Sequence, residues 1–283
     1  MKELAPIGLT VYGRLEHTKK AVEALQKNTL AKESKLYIFS DGPKYGDEEK
    51  VKAMREYLKT IDGFKEIEII ERLDNNRIKN NRGGQKYLLE KYDKMIWMAE
   101  DIVTASGYLQ FMNDGLEIYK DKNEILSITG YGLPIIIHNI EYDSYVLQRF
   151  NAWGIGIWKK KYDQVKYISL EEYIEFINDN QQVKEFVKSG ADMLNMLELE
   201  VRKQIDAFDI RAMYCQFKNN MYTVYPLKSM VQNIGHDGSG VHCGVTEKFN
   251  HKEVWGKKRI ILVFRGGYKG KTNIFGKRKI FGF

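Results

Sequence analysis

The segment Trp97-Met98-Ala99-Glu100-Asp101-Ile102 runs apolar residues into two adjacent carboxylates and then returns to apolar residues. Carboxylates at the end of a buried strand are costly to leave without a partner. They call for a cation, a metal or donor hydroxyls. Mg²⁺ or Mn²⁺, held by one or two carboxylates and by substrate phosphates, suits such an oxygen-rich site. An ion pair at a strand end is the plainer reading of the same two residues.

Three other segments could carry chemistry. Gly235-His236-Asp237-Gly238-Ser239-Gly240-Val241-His242-Cys243-Gly244 is rich in glycine and polar groups. His236, His242 and Cys243 lack the paired spacing of zinc ligands. The glycines better suit a mobile loop whose backbone amides, with the Ser239 hydroxyl, approach a diphosphate. His242 would add a hydrogen bond to phosphate or help at the metal, and closure of the loop would exclude water. Trp153 and Trp158 flank a glycine-punctuated stretch that includes Gly154. Their faces suit sugar C–H surfaces, although buried core tryptophans are as common. Asn80-Asn81-Arg82-Gly83-Gly84 reads as the approach to a helix N-terminus, a place that welcomes phosphate or simply caps the helix.

These residues need elements to position them. Residues 7–12, 36–40, 66–70, 94–99 and 125–129 read as strands. Between them, residues 16–28, 47–61, 84–91 and 107–119 read as helices. This β-α-β-α order predicts an α/β fold with a mostly parallel central sheet flanked by helices. Ligands of such sheets bind at the carboxyl ends of the strands, near a switch point. That singles out Tyr12-Gly13-Arg14, Ser40-Asp41-Gly42 and Glu100-Asp101. Asp41-Gly42-Pro43 is also plain turn chemistry. The second half is less regular, with helices expected over residues 170–178, 183–189 and 193–205 and a short strand over 222–224.

The 283 residues carry 43% hydrophobic and 29% charged side chains, the balance of an ordinary globular protein with a full core. The net charge is +7, and residues 257–283 hold nine Lys or Arg and no Asp or Glu, so the rest of the chain sums to −2. This basic tail interleaves cations with Phe, Tyr and Ile, which suits an anionic membrane surface; a solvated tail with no specific role is the next reading. Nucleic acid ranks lower, because the charge sits in one tail and no binding motif accompanies it. Cys215 and Cys243 are not in a C-x-x-C pair, so reduced thiols are the plainer expectation. No signal-peptide pattern and no membrane-length apolar stretch is visible, so the expected location is cytoplasmic, peripheral at the inner face of the membrane.

The order of several blocks resembles the N-acetylglucosaminyltransferase I family and related bacterial glycosyltransferases. The blocks are Pro6 to Arg14 with Glu16-His17-Thr18, then Tyr37 to Pro43, and Tyr92 through Asp101 with Ala105 to Leu109. Trp153-Gly154-Ile155-Gly156-Ile157-Trp158, Phe208-Asp209-Ile210-Arg211, Tyr225-Pro226 and Asn233-Ile234-Gly235 follow. The resemblance implies a GT-A, Rossmann-like fold. Residues 1–130 would bind the nucleotide-sugar, residues 131–250 the acceptor, and residues 251–283 form the basic tail.

It further implies an enzyme that moves a sugar, hexosyl or N-acetylhexosaminyl, from a UDP-sugar to a glycan or lipid-linked saccharide with inversion. The family's acidic motif, Glu-Asp-Asp, aligns with Ala99-Glu100-Asp101, so Asp101 inherits the metal and Glu100 the ribose or sugar hydroxyls. Ala99, in place of the first acid, leaves the donor sugar and the strictness of the metal requirement open. Tyr12, Arg14 and Asp41 would meet the nucleotide, Ser239 and His242 the diphosphate, and Trp153, Gly154 and Trp158 the acceptor. Asp209 would be the general base, with Asp206 as its rival; a local pair with Arg211 is the alternative for Asp209. A sugar nucleotidyltransferase is the other enzyme reading, but Tyr12-Gly13-Arg14-Leu15-Glu16 lacks the glycine-rich loop such enzymes carry after the first strand.

Overall fold

The computed structural model describes residues 3–134 and 143–239, and the backbone of Leu262–Val263. In chain order the main elements are β1 (Ile7–Val11), α1 (Leu15–Gln26), β2 (Lys35–Ser40), α2 (Glu48–Leu58), β3 (Glu66–Glu71) and α3 (Arg77–Tyr92). Next come β4 (Lys94–Ala99), β5 (Ile102–Thr104), α4 (Tyr108–Ile118), β6 (Ile125–Thr129), β7 (Ser144–Leu147) and β8 (Ile155–Trp158). The remainder is α5 (Lys159–Tyr162), α6 (Leu170–Asn178), α7 (Asn180–Phe186), α8 (Met193–Val201), α9 (Phe208–Lys218), β9 (Tyr222–Pro226), β10 (Val231–Asn233) and β11 (Leu262–Val263).

Nine strands form one sheet in the order β11-β7-β9-β6-β8-β4-β1-β2-β3. The fold is α/β, a mostly parallel sheet flanked by helices, as the alternation of elements predicts. β3, β2, β1 and β4 are parallel neighbours, whereas β8 runs antiparallel between β4 and β6. The central strands are continuous apolar runs because both faces are covered: Ile7, Leu9, Ile38, Ile96 and Met98 are fully buried.

The chain leaves β1 for β2 and β3 on one side, then returns to place β4 on the other side of β1. β1 and β4 therefore flank the switch point, where the connections diverge and leave a crevice. Pairing of Thr10 with Ala99 and of Val11 with Ser40 brings the carboxyl ends of β1, β4 and β2 level.

The Asn80–Gly84 segment corrects an expectation. It lies inside α3, not ahead of a helix, so it offers no free N-terminus to an anion. The cap is Asn76, whose side chain accepts from Lys79 N. Asn80 donates to Phe39 O at 3.0 Å, and Asn81 accepts from the Trp97 indole at 2.8 Å. A Cβ on Gly84 would fall 2.6 Å from the Trp97 ring, so this glycine lets the helix lie against the sheet. The helix α9, the strands β5, β7 and β10, and the strand β8 inside the aromatic stretch were not expected from the sequence.

A small second sheet pairs β5 with β10 antiparallel, matching Ile102 with Asn233. Asn28 braces it: its buried side chain donates to Ala24 O and Thr104 Oγ1 and accepts from Leu109 N. This clamp ties the end of α1 to β5 and the start of α4. Its consequence is that the segment after β10 hangs beside the end of β4.

Candidate functional site

β4 ends at Ala99, and the next two residues turn their carboxylates toward the end of β1. Arg14, just beyond β1, reaches across with its guanidinium fork. Its Nε donates to Glu100 Oε1 and its Nη2 to Asp101 Oδ2, both at 2.7 Å. Tyr12 N donates to Glu100 Oε2 at 2.7 Å. Both oxygens of Glu100 are therefore engaged, and the residue is buried. Burial holds the Glu100 carboxyl above its ordinary range, against the pull of Arg14 and the Tyr12 amide. Arg14 Nη1 is buried and makes no hydrogen bond among the described residues.

The Gly-rich segment comes to the same place. Ile234 N donates to Asp101 O at 2.9 Å, and Gly235 N to Asn233 Oδ1 at 2.8 Å. A Cβ on Gly235 would lie 2.3 Å from Asp101 Oδ2 and 3.0 Å from Arg14 Nη1. Only glycine lets the backbone approach the ion pair this closely. Asp237 Oδ1 accepts from Ser239 N and Oγ, while Asp237 Oδ2 meets His17 Nε2 at 3.1 Å. These Ser239 bonds, and then His17, lower the Asp237 carboxyl to about 2. His17, on the first turn of α1, thus tethers the segment. His242 and Cys243 lie outside the described residues, as does the basic tail except for the backbone of β11.

Tyr12 and Asp41 stand at the same end of the sheet with local partners. The Tyr12 hydroxyl donates to Asp47 Oδ2 and accepts from Lys44 N. Asp41 Oδ1 accepts from Gly42 N and Asn76 N, and its Oδ2 accepts from Asn75 Nδ2. Asp41 thereby ties the end of β2 to the cap of α3.

Trp153 edges against Tyr131 at 4.6 Å and against His236 at 5.5 Å between ring centres. His236 follows Gly235, so this aromatic group continues the site away from the acidic pair. Gly154 has φ of +65°, and a Cβ there would sit 2.7 Å from the Tyr108 hydroxyl. Trp158 is elsewhere. It pairs with Lys94 at the start of β4, opposite the end that carries Glu100, and its buried indole donates to Leu116 O.

Asp209 occupies the first turn of α9. Burial pushes its carboxyl up to about 6, against the positive charges of Arg211 and Arg149. Both arginines have other partners. Arg211 pairs with Glu200 and with Asp206, the latter at 2.9 Å, and Arg149 forks onto Asp192. Asp206 is further held by Arg82. No local pattern marks Arg149 or Asp192, which lie 43 positions apart.

Among the described residues, no three His, Cys, Asp or Glu side chains gather as a metal site. Asp101 offers a single carboxylate whose Oδ2 is already held by Arg14, so a divalent ion there would need phosphate oxygens to complete its shell. No helix of the described residues is long and apolar enough to cross a membrane.

No protein-family model matches the sequence, and no curated protein matches it. Among solved structures, the chain is similar to S. aureus TarS 1-349 (TM-score 0.43, 9% identity) over 80% of this chain and 58% of that one. A longer S. aureus TarS structure gives a TM-score of 0.42 at 9% identity, over 78% of this chain and 36% of that one. The mannosyltransferase PcManGT from Pyrobaculum calidifontis, in complex with GDP-Man and Mn²⁺, gives 0.41 at 5% identity, over 77% and 70%. The chain thus spans little more than half of the first of these structures and about a third of the second.

Proposed function

We propose that the chain is a glycosyltransferase that moves a sugar from a UDP-sugar to a glycan or lipid-linked saccharide, with inversion. The observation that carries this reading is the meeting of Arg14, Glu100, Asp101 and Gly235 at the switch point. An open α/β sheet takes its ligand there. A carboxylate pair beside an arginine with an unbonded Nη1 suits a diphosphate with a divalent ion. The sequence blocks resembling the N-acetylglucosaminyltransferase I family support the same reading.

In the proposed reaction Asp209 takes the proton of the acceptor hydroxyl as that oxygen attacks the anomeric carbon. The bond from that carbon to the diphosphate breaks, and negative charge builds on the leaving group. Arg14, with Nη1 uncommitted, would meet that charge. Mn²⁺ or Mg²⁺, held by Asp101 and the diphosphate, would neutralise part of it. Asp206 suits the base role less well, since Arg82 and Arg211 already hold its carboxylate. Ser239 and His242, in the glycine-rich stretch that follows Gly235, would meet the diphosphate, and Tyr12 and Asp41 would line the nucleotide side. Trp153, beside His236, would offer its face to the acceptor sugar. The basic tail would hold the enzyme at an anionic membrane surface.

The test is a panel of UDP-sugars with saccharide acceptors, assayed for release of UDP and for a new glycosidic bond. Transfer that requires both a UDP-sugar and an acceptor supports the reading. Absence of UDP release from every donor in the panel counts against it.

A further inference from the structure

We propose that Arg14 is an interlock on the donor site: it fills the cation position of Asp101 until a nucleoside diphosphate arrives, so that divalent ion and diphosphate bind together rather than singly. The inference rests on the donor-site reading above and adds the order in which its parts assemble.

The geometry carries it. Glu100 has no oxygen to spare, since Arg14 Nε and Tyr12 N use both. The metal must therefore come to Asp101, whose Oδ2 already accepts from Arg14 Nη2 at 2.7 Å. The side chains of Glu100 and Asp101 are 8% and 13% exposed, so water screens the charges poorly. A divalent ion approaching alone meets a guanidinium fixed to its own ligand and is repelled.

A diphosphate changes the balance. Arg14 Nη1 is a buried donor with no hydrogen bond among the described residues, and the backbone of Gly235 packs closely over it and Asp101. Phosphate oxygens that reach Nη1 give the guanidinium a bidentate partner. Arg14 can then leave Asp101, whose oxygens pass to the metal, while the same phosphates complete the metal's shell. Each ligand raises the affinity for the other by the same factor, as linkage requires.

The experiment measures Mn²⁺ binding by electron paramagnetic resonance of the free ion, with and without UDP, for wild type, Arg14→Gln, Arg14→Lys and Asp101→Asn. Circular dichroism and melting confirm that each variant is folded. In wild type, UDP is expected to raise Mn²⁺ affinity by about tenfold or more. Arg14→Gln is expected to bind Mn²⁺ alone about tenfold more tightly than wild type and to lose most of that coupling. Arg14→Lys, which keeps the charge, should still resist Mn²⁺ alone, and Asp101→Asn should bind Mn²⁺ weakly in every condition. The interlock is overturned if wild type binds UDP and Mn²⁺ but Arg14→Gln shows the same Mn²⁺ affinity and the same coupling. A wild type that binds no UDP, with or without Mn²⁺, overturns the donor-site reading and the interlock with it.

Discussion

Arg14 and Asp101 stand 87 positions apart in the chain and meet at 2.7 Å across the carboxyl ends of β1 and β4. Their meeting follows from topology. The chain departs from β1 to build β2 and β3 before returning as β4, and the two strand ends left at the centre carry opposite charges. The ion pair gives each group an opposite charge, and it also marks where an anion and a cation would exchange places with them.

Gly235 should be intolerant of any side chain. Gly235→Ala puts a Cβ 2.3 Å from Asp101 Oδ2. Relieving that overlap costs about 1–3 kcal/mol. Because the contact lies at the ion pair, the expected loss is in UDP and Mn²⁺ binding, by about tenfold for each 1.4 kcal/mol. Calorimetry and a melting curve check this: UDP and Mn²⁺ binding should fall together with thermal stability.

Asp209 should govern the pH dependence of transfer. Its carboxyl is raised to about 6, and a base must be ionised to act. The rate is therefore expected to fall as pH drops through about 6, and Asp209→Asn to lower kcat by about 10²–10⁴ with donor binding kept. A pH–rate profile with its acid limb near 4 would contradict the assignment.

The same raised carboxyl makes a stability prediction. A folded-state value above the ordinary 3.8 means that folding favours the protonated form. Stability from this group is full below about pH 4 and is lost as pH rises through about 6. Asp209→Asn, neutral throughout, should therefore be more stable than wild type at pH 7 by about 1–3 kcal/mol. Denaturant melts at pH 7 and pH 4 test this; the gain should be absent at the lower pH.

Two neighbouring glycines in α3 should respond in opposite directions. A Cβ on Gly83 meets nothing within 4 Å, whereas one on Gly84 would fall 2.6 Å from Trp97 and 2.9 Å from Phe39. Gly83→Ala is expected to stabilise the fold by about 0.5–1 kcal/mol through helix propensity. Gly84→Ala is expected to destabilise it by about 1–3 kcal/mol through overpacking. Equal effects of the two substitutions on melting would contradict the packing of α3 on β4.

The first half of the chain was legible because its strands are short apolar runs and its helices carry an apolar stripe. Ile7–Val11, Lys35–Ser40 and Lys94–Ala99 end in Arg14, Asp41 and the Glu100–Asp101 pair, so inspecting strand ends found the site. The start of α3 was not legible, because Asn80-Asn81-Arg82-Gly83-Gly84 has loop composition. Its asparagines bond to Phe39 and Trp97, and Gly84 makes room for the indole, all of which are tertiary contacts. β8 hid inside an aromatic, glycine-punctuated stretch. There Gly156 pairs with both Ile96 and Ile128, a central position that local pattern does not mark. α9 was missed because its buried residues include Arg211 and Gln216, which blur the apolar stripe. The pairing of β5 with β10, which brings Gly235 to Asp101, joins segments more than a hundred residues apart and has no local signature.

The most direct test of the donor site is calorimetric binding of UDP, with and without Mn²⁺, to wild type and Asp101→Ala. Wild type is expected to bind UDP in the micromolar range only with Mn²⁺, and Asp101→Ala to lose that binding. UDP binding indifferent to both would contradict the role given to Asp101, and no UDP binding under any condition would contradict the proposed function itself.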